Sequence, residues 1–262
     1  MDLKLTDKTA LVTGSAKGIG LAIVTSLARE GASVILNGRS EQSVSAGLAE
    51  VRAAVPKAKV EGFAGDLSTA RATGALEKKF PAVDILVNNL GIFEPKAFEE
   101  IPDDDWRRFF EVNVLSGVRL SRLYLPGMKA RNWGRIVFIS SESGVQIPPE
   151  MIHYGMTKTA QLAVSRGLAE LCAGTNVTVN SVLPGPTHSA GVNEFVAQLS
   201  GGKPFKEFEK EFFAAVRPSS LLKRFATTDE VASLVAYVCS PLASATNGAA
   251  LRVDGGVVRS CF

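Results

Sequence analysis

Seven short runs rich in β-branched and other apolar residues recur along the chain, and helical stretches lie between almost all of them. The runs are Thr9 to Thr13, Ser33 to Asn37, Val60 to Phe63, Ile85 to Val87, Arg135 to Ser140, Val177 to Val182 and Ala250 to Val253. Apolar strands joined through helices favour a parallel sheet, because each right-handed crossover must lay its helix back on the strands, and the helices then cover both faces. The alternation predicts an α/β fold, a doubly wound parallel sheet of seven strands flanked by helices. The 262 residues suit one such domain, 1–262.

The rhythm fails once. Between Val182 and Thr227, the residues Pro184, Gly185, Pro186, Gly201, Gly202, Pro204 and Pro218 interrupt a stretch carrying Phe195, Phe205, Phe208, Phe212 and Phe213. That is too long for a simple connection, and phenylalanines at helical spacing give short helices an apolar underside. We read residues 187–226 as a helical insertion that closes over a substrate; the alternative is a helical pair packed permanently on the core.

Composition narrows the partners. Hydrophobic residues make up 46% and charged residues 21%, so a packed core is expected. The 29 basic and 26 acidic residues are mixed along the chain with no basic block or aromatic-basic stripe, which speaks against nucleic acid. Cys172, Cys239 and Cys261 lack the paired spacing of a disulfide framework or zinc site and read as reduced thiols. No His, Cys or carboxylate cluster suggests a metal. With no apolar signal core after Met1 and no run approaching the roughly 18 residues of a membrane span, a soluble, cytoplasmic protein is expected.

After the first strand comes Thr13-Gly14-Ser15-Ala16-Lys17-Gly18-Ile19-Gly20, leading into a helical run from Leu21 to Arg29. Glycines in a strand-to-helix turn let the backbone approach a pyrophosphate, and the helix aims its unpaired amides at that anion. Glycines also serve tight turns for conformational reasons alone. The second strand ends in Leu36-Asn37-Gly38-Arg39, with no carboxylate where one would accept the ribose hydroxyls of NAD. Arg39, Lys17 and the Ser15 hydroxyl would instead meet a 2′-phosphate, which favours NADP(H). Either cation taken alone could equally be a solvated loop charge.

Tyr154-Gly155-Met156-Thr157-Lys158 opens a helical run through Leu171, so the phenol and the ammonium share a face and reach one site. A free tyrosine titrates near ~10, and a fixed cation beside it favours the phenolate. Lys158 would tune Tyr154. Ser141 follows a predicted strand, at the sheet edge where parallel sheets place ligands, and its hydroxyl could hold a substrate oxygen.

Together these stretches resemble the short-chain dehydrogenase/reductase family, and the resemblance covers essentially the whole chain. Thr13 to Gly20 is similar to its coenzyme motif, Asp66-Leu67 to its adenine contact, Asn88-Asn89-Leu90-Gly91 to its fourth-strand motif and Pro184-Gly185 to the turn after its sixth strand. The resemblance implies a Rossmann-type fold and a hydride transfer between NADP(H) and a carbonyl or alcohol. It makes Tyr154 the general acid/base, gives Lys158 the nicotinamide ribose, lets Ser141 polarise the carbonyl and has Asn113 position a water in a proton relay. The coenzyme residues it implies are Gly14, Ser15, Lys17, Gly18, Ile19, Gly20, Arg39, Asp66, Leu67, Asn89, Gly91, Tyr154, Lys158, Thr187 and Ser189. It also implies a homodimer or homotetramer, with the apolar tail Ala249 to Phe262 at an interface or in the core.

Leu90 stands where the family usually has alanine, which puts coenzyme affinity in question. His153 and His188 flank the predicted site, as packing residues or as substrate contacts. A catalytically idle NADP(H)-binding relative and an enoyl reductase are the competing readings; the first should lose members of Asn113, Ser141, Tyr154 and Lys158, and the second usually spaces Tyr and Lys further apart. Glu142 to Ile152 and the insertion should line the substrate pocket, whose Ile147, Pro148, Pro149, Met151 and phenylalanines suggest an apolar or aromatic substrate.

Overall fold

The computed structural model describes residues 2–189 and 204–261. All seven predicted runs are strands of one parallel sheet: β1 (Thr9–Val12), β2 (Ser33–Gly38), β3 (Lys59–Ala64), β4 (Ile85–Asn88), β5 (Gly134–Ile139), β6 (Val177–Pro184) and, last in the chain, β9 (Ala250–Val253). Their order is β3-β2-β1-β4-β5-β6-β9, so the sheet grows outward in both directions from β1 and β4. That reversal opens a crevice at the carboxyl ends of β1 and β4, where such sheets bind ligands.

The register explains why the strands read as continuous apolar runs. Ile35, Leu11, Leu86, Ile136 and Val179 stand side by side across the sheet and point to one face. There they meet Leu76 of α3 (Ala70–Lys79), Leu120, Tyr124 and Met128 of α5 (Ser116–Ala130) and Ala169 of α6 (Ile152–Leu171). One residue further along, Leu36, Val12, Val87 and Val137 form the row on the opposite face. Their partners are α1 (Gly18–Arg29), Val44 and Val51 of α2 (Glu41–Ala54), and Val231 and Val235 of α8 (Thr228–Cys239). With both faces covered, no strand residue needs to be polar until its carboxyl end.

Two features lie beyond the sequence reading. Between α4 (Asp103–Phe110) and α5 the backbone makes a π-helical turn, Glu111–Leu115, which carries Asn113. Such turns commonly mark functional positions because they re-aim one side chain out of helical register. At the base of the insertion lies a two-stranded parallel pair, β7 (Thr187–His188) with β8 (Ala226–Thr227). Within it α7 (Phe205–Ala215) is helical, and Phe208, Phe213 and Phe225 form a small core of their own. Phe195, Gly201 and Gly202 lie outside the described residues.

Candidate active site

The glycine turn is built as a cradle. Gly14 (φ 57°) and Gly18 (φ 62°) take the left-handed conformation that glycine adopts without strain. At Gly20 a Cβ would stand 2.6 Å from Asn89 Nδ2 and 2.7 Å from Ser15 Cα, so a side chain has no room. Asn89 Nδ2 donates to the carbonyls of Thr13 (2.9 Å) and Gly14 (3.1 Å), and the amides of Asn89 and Leu90 donate to Thr13 Oγ1. The loops after β1 and β4 are thereby joined across the crevice. Leu90 occupies space over Gly14, its Cα 3.1 Å from the point where a Gly14 Cβ would lie.

Two expected contacts are corrected. Ser15 offers no outward hydroxyl: it is fully buried, its Oγ donates to the Val12 carbonyl at 2.7 Å and accepts from the Asn37 amide at 3.0 Å. Leu67 is 1% exposed with its side chain in the core, so only its backbone can face a ligand. Arg39 and Lys17 are exposed at the ends of β2 and the glycine turn, and Asp66 is exposed with Oδ1 accepting from the Ser68 amide and hydroxyl. Asn37, which the sequence offered only as a non-acidic strand end, accepts from the Gly14 amide at 3.0 Å and donates to the Phe63 and Gly65 carbonyls.

Beyond β6 the chain returns to the cradle. Thr187 is buried with Oγ1 donating to the Gly185 carbonyl at 2.9 Å, and Ser189 lies against Gly18, its Cβ 3.6 Å from a Cβ built there. Ile19, Asn89, Gly91, Thr187 and Ser189 line one continuous cavity of about 1300 Å³ with Ser141, Tyr154 and Lys158. That exceeds the roughly 300–1,000 Å³ of an ordinary small-ligand pocket. The N-cap residue of α1, Lys17, makes no side-chain cap to the first-turn amides at the cradle, so the donor set and the space fit a dinucleotide.

At the cavity floor, Ser141 lies two residues beyond the end of β5 and Tyr154 and Lys158 project one turn apart from α6. Tyr154 and Ser141 line the same end of the cavity, and the Lys158 Nζ sits 5.5 Å from the Tyr154 ring centre. Burial and then the Glu142 carboxylate push the phenol above its usual range; the neighbouring Ser141 hydroxyl and the Arg217 charge oppose them. Burial also lowers Lys158 to about 7, so it is a weak cation at neutral pH. Its Nζ donates to the Ile139 carbonyl at 2.9 Å and to Gln161 Oε1 at 3.3 Å.

Asn113 faces the same centre from the π turn. Its Oδ1 accepts from the Ile92 amide at 2.8 Å and its Nδ2 donates to the Ile92 carbonyl and to Thr157 Oγ1, each at 3.0 Å. All four residues expected to act together therefore converge. His153 is a packing residue: it is fully buried, its ring centre 4.0 Å from that of Phe109 in a tilted contact, and among the described residues neither ring nitrogen has a hydrogen-bond partner. His188 is exposed and its ring packs on Phe205.

Three residues at this centre escaped the sequence reading. Gln161, 1% exposed, bridges Lys158 and the Asn113 carbonyl; its place one turn beyond Lys158 on an apolar helix face was the available signal. Glu142 had been only the edge of a lining segment, although a carboxylate directly after a strand-end serine is conspicuous. Arg217, between Val216 and Pro218, had no signal within the insertion.

The chain matches the short chain dehydrogenase family over residues 8–200. It is 51% identical to the uncharacterized oxidoreductase YvaG of Bacillus subtilis (strain 168), over 100% of both chains. Identity to the D-beta-hydroxybutyrate dehydrogenase of Cupriavidus necator is 34%, over 97% of this chain and 99% of the relative. Among solved structures, L-sorbose reductase from Gluconobacter frateurii complexed with NADPH and L-sorbose superposes with a TM-score of 0.92 at 30% identity, over 99% of this chain and 100% of that one. With the sheet order, the glycine cradle and the converging Ser, Tyr and Lys, these matches place the chain: it belongs to the short-chain dehydrogenase/reductase family of oxidoreductases.

Proposed function

We propose that the protein is an NADP(H)-dependent oxidoreductase that moves a hydride between the nicotinamide and a carbonyl or secondary-alcohol substrate, with Tyr154 as the acid/base at the substrate oxygen. The observation that carries this reading is the convergence of Ser141, Tyr154 and Lys158 on the floor of the cavity that the glycine cradle also lines. When bound, the coenzyme supplies or accepts the hydride. Ser141 holds the substrate oxygen, and Tyr154 gives it a proton during reduction or removes one during oxidation. Lys158 and Asn113, fixed behind Tyr154 by Ile139, Thr157 and Gln161, hold the ribose side and the helix in place.

The coenzyme choice rests on charge. The end of β2 offers Arg39 and no carboxylate, with Lys17 exposed in the neighbouring turn, which suits a 2′-phosphate. The NADPH complex of the sorbose reductase relative supports it. The test is a fluorescence titration with NADPH and NADH in wild type and Arg39→Ala. Loss of a charged phosphate contact should weaken NADPH on the order of 10- to 100-fold and leave NADH nearly unchanged. Preference for NADH in the wild type would overturn the coenzyme assignment.

A further inference from the structure

A carboxylate sits at the serine. The Glu142 side chain is 7% exposed, yet it lines the cavity. The Ser141 hydroxyl donates to Glu142 Oε2, and Arg217 Nε donates to Glu142 Oε1 at 3.2 Å. An ionised carboxylate offers about four acceptor positions, so these two bonds leave room for a ligand donor. Arg217, just beyond α7, also donates to Glu150 Oε1 at 3.1 Å and to the Val216 carbonyl at 3.0 Å. Its charge is thus already matched by two carboxylates. Glu211 lines the cavity as well, which among the described residues sets three carboxylates against Arg217 and Lys158. Such a site repels an anionic substrate and offers acceptors to a hydroxyl.

We infer that Glu142, held by Arg217, is a specificity-determining residue that selects a neutral substrate bearing a hydroxyl on the carbon next to its carbonyl. The inference rests on the carbonyl-reductase reading above. Ser141 Oγ and Glu142 Oε2 are one hydrogen-bond length apart, as are the two oxygens of an α-hydroxy ketone. The substrate hydroxyl donates to Glu142 in place of Ser141, and Ser141 then turns its own proton toward the carbonyl oxygen. The coenzyme, when bound, would supply the hydride taken up by the carbonyl carbon and would itself be oxidised, and Tyr154 gives its proton to the oxygen. The C=O π bond breaks, C–H and O–H bonds form, and the product is a vicinal diol; the Tyr154 phenolate recovers its proton from solvent. A ketone without the hydroxyl leaves Ser141 donating to Glu142, so it loses kcat as well as binding. The apolar wall of Ile147, Met151, Phe208 and Phe212 takes the remainder of the substrate.

The experiment compares hydroxyacetone, acetone and the anionic analogue pyruvate, with NADPH and the full chain. The kcat/KM for hydroxyacetone should exceed both others by about 100-fold or more. Calorimetry with the NADPH complex should show 1,2-propanediol binding more tightly than 2-propanol. In Glu142→Gln the hydroxyacetone preference should fall to less than about 10-fold, and Glu142→Asp should keep part of it. An NADPH titration checks that each variant folds; if Glu142→Gln does not, Glu142→Asp and the wild-type diol binding decide. Equal turnover of hydroxyacetone and acetone, or an undiminished preference in a folded Glu142→Gln, overturns the inference alone. NADPH binding with no reduction of any ketone overturns the carbonyl-reductase reading and the inference with it.

Discussion

The Gln161 side chain joins Lys158 to the backbone of Asn113: its Oε1 accepts from the Lys158 ammonium at 3.3 Å while its Nε2 donates to the Asn113 carbonyl. Lys158 and Gln161 lie one turn apart on α6, and Asn113 lies in the π turn before α5. With the bond from Asn113 Nδ2 to Thr157 Oγ1, this amide fixes the π turn against the face of α6 that carries Tyr154.

Gln161→Leu keeps the volume and removes both polar contacts. It leaves the Asn113 carbonyl and the Lys158 ammonium short of partners in a buried site, which should cost about 1–3 kcal/mol of stability. Urea unfolding checks this: the midpoint should fall with an unchanged slope.

Stability should rise with pH between about 7 and about 10 through Lys158. Burial lowers its folded-state pKa from 10.5 to about 7, so in that window the unfolded chain binds a proton that the folded chain does not. Urea unfolding of wild type and Lys158→Met across this range isolates the contribution, because the variant lacks that part of the rise. Tyr154, raised by burial, acts oppositely above pH ~10: its folded form keeps a proton that the unfolded chain loses, and stability falls.

Gly20→Ala should disrupt the cradle. The new Cβ meets the Gly14 carbonyl oxygen at 2.8 Å and Ser15 Cα at 2.7 Å, both backbone atoms that cannot swing away. Overpacking of this kind costs about 1–3 kcal/mol, and NADPH affinity should drop because Gly14 and Asn89 must shift. Thermal unfolding and coenzyme titration read the two effects separately.

Much of this architecture was legible because the central strands are buried on both faces. Val12 and Leu11 point to opposite helical layers, so neither position could be polar, and the run stood out in the sequence. Strand ends were less legible: β6 continues through Pro184, where pairing with β9 persists beyond the apolar run. The direction in which a hydroxyl points cannot be read from spacing. Ser15 and Ser141 each lie near a strand end, yet one is spent inside the turn and the other faces the cavity. Arg217 meets Glu142 across 75 positions of sequence, and only the closed insertion brings them together.

The central claim is that the Tyr154 phenol exchanges the proton at the substrate oxygen, and Tyr154→Phe tests it by removing one oxygen from a site already shaped by Phe93 and Ser141. With NADPH and a reducible ketone, kcat should fall about 10²- to 10⁴-fold while NADPH binding is little changed. A Tyr154→Phe protein that binds NADPH and turns over at the wild-type rate would contradict the account and move the proton transfer to another group.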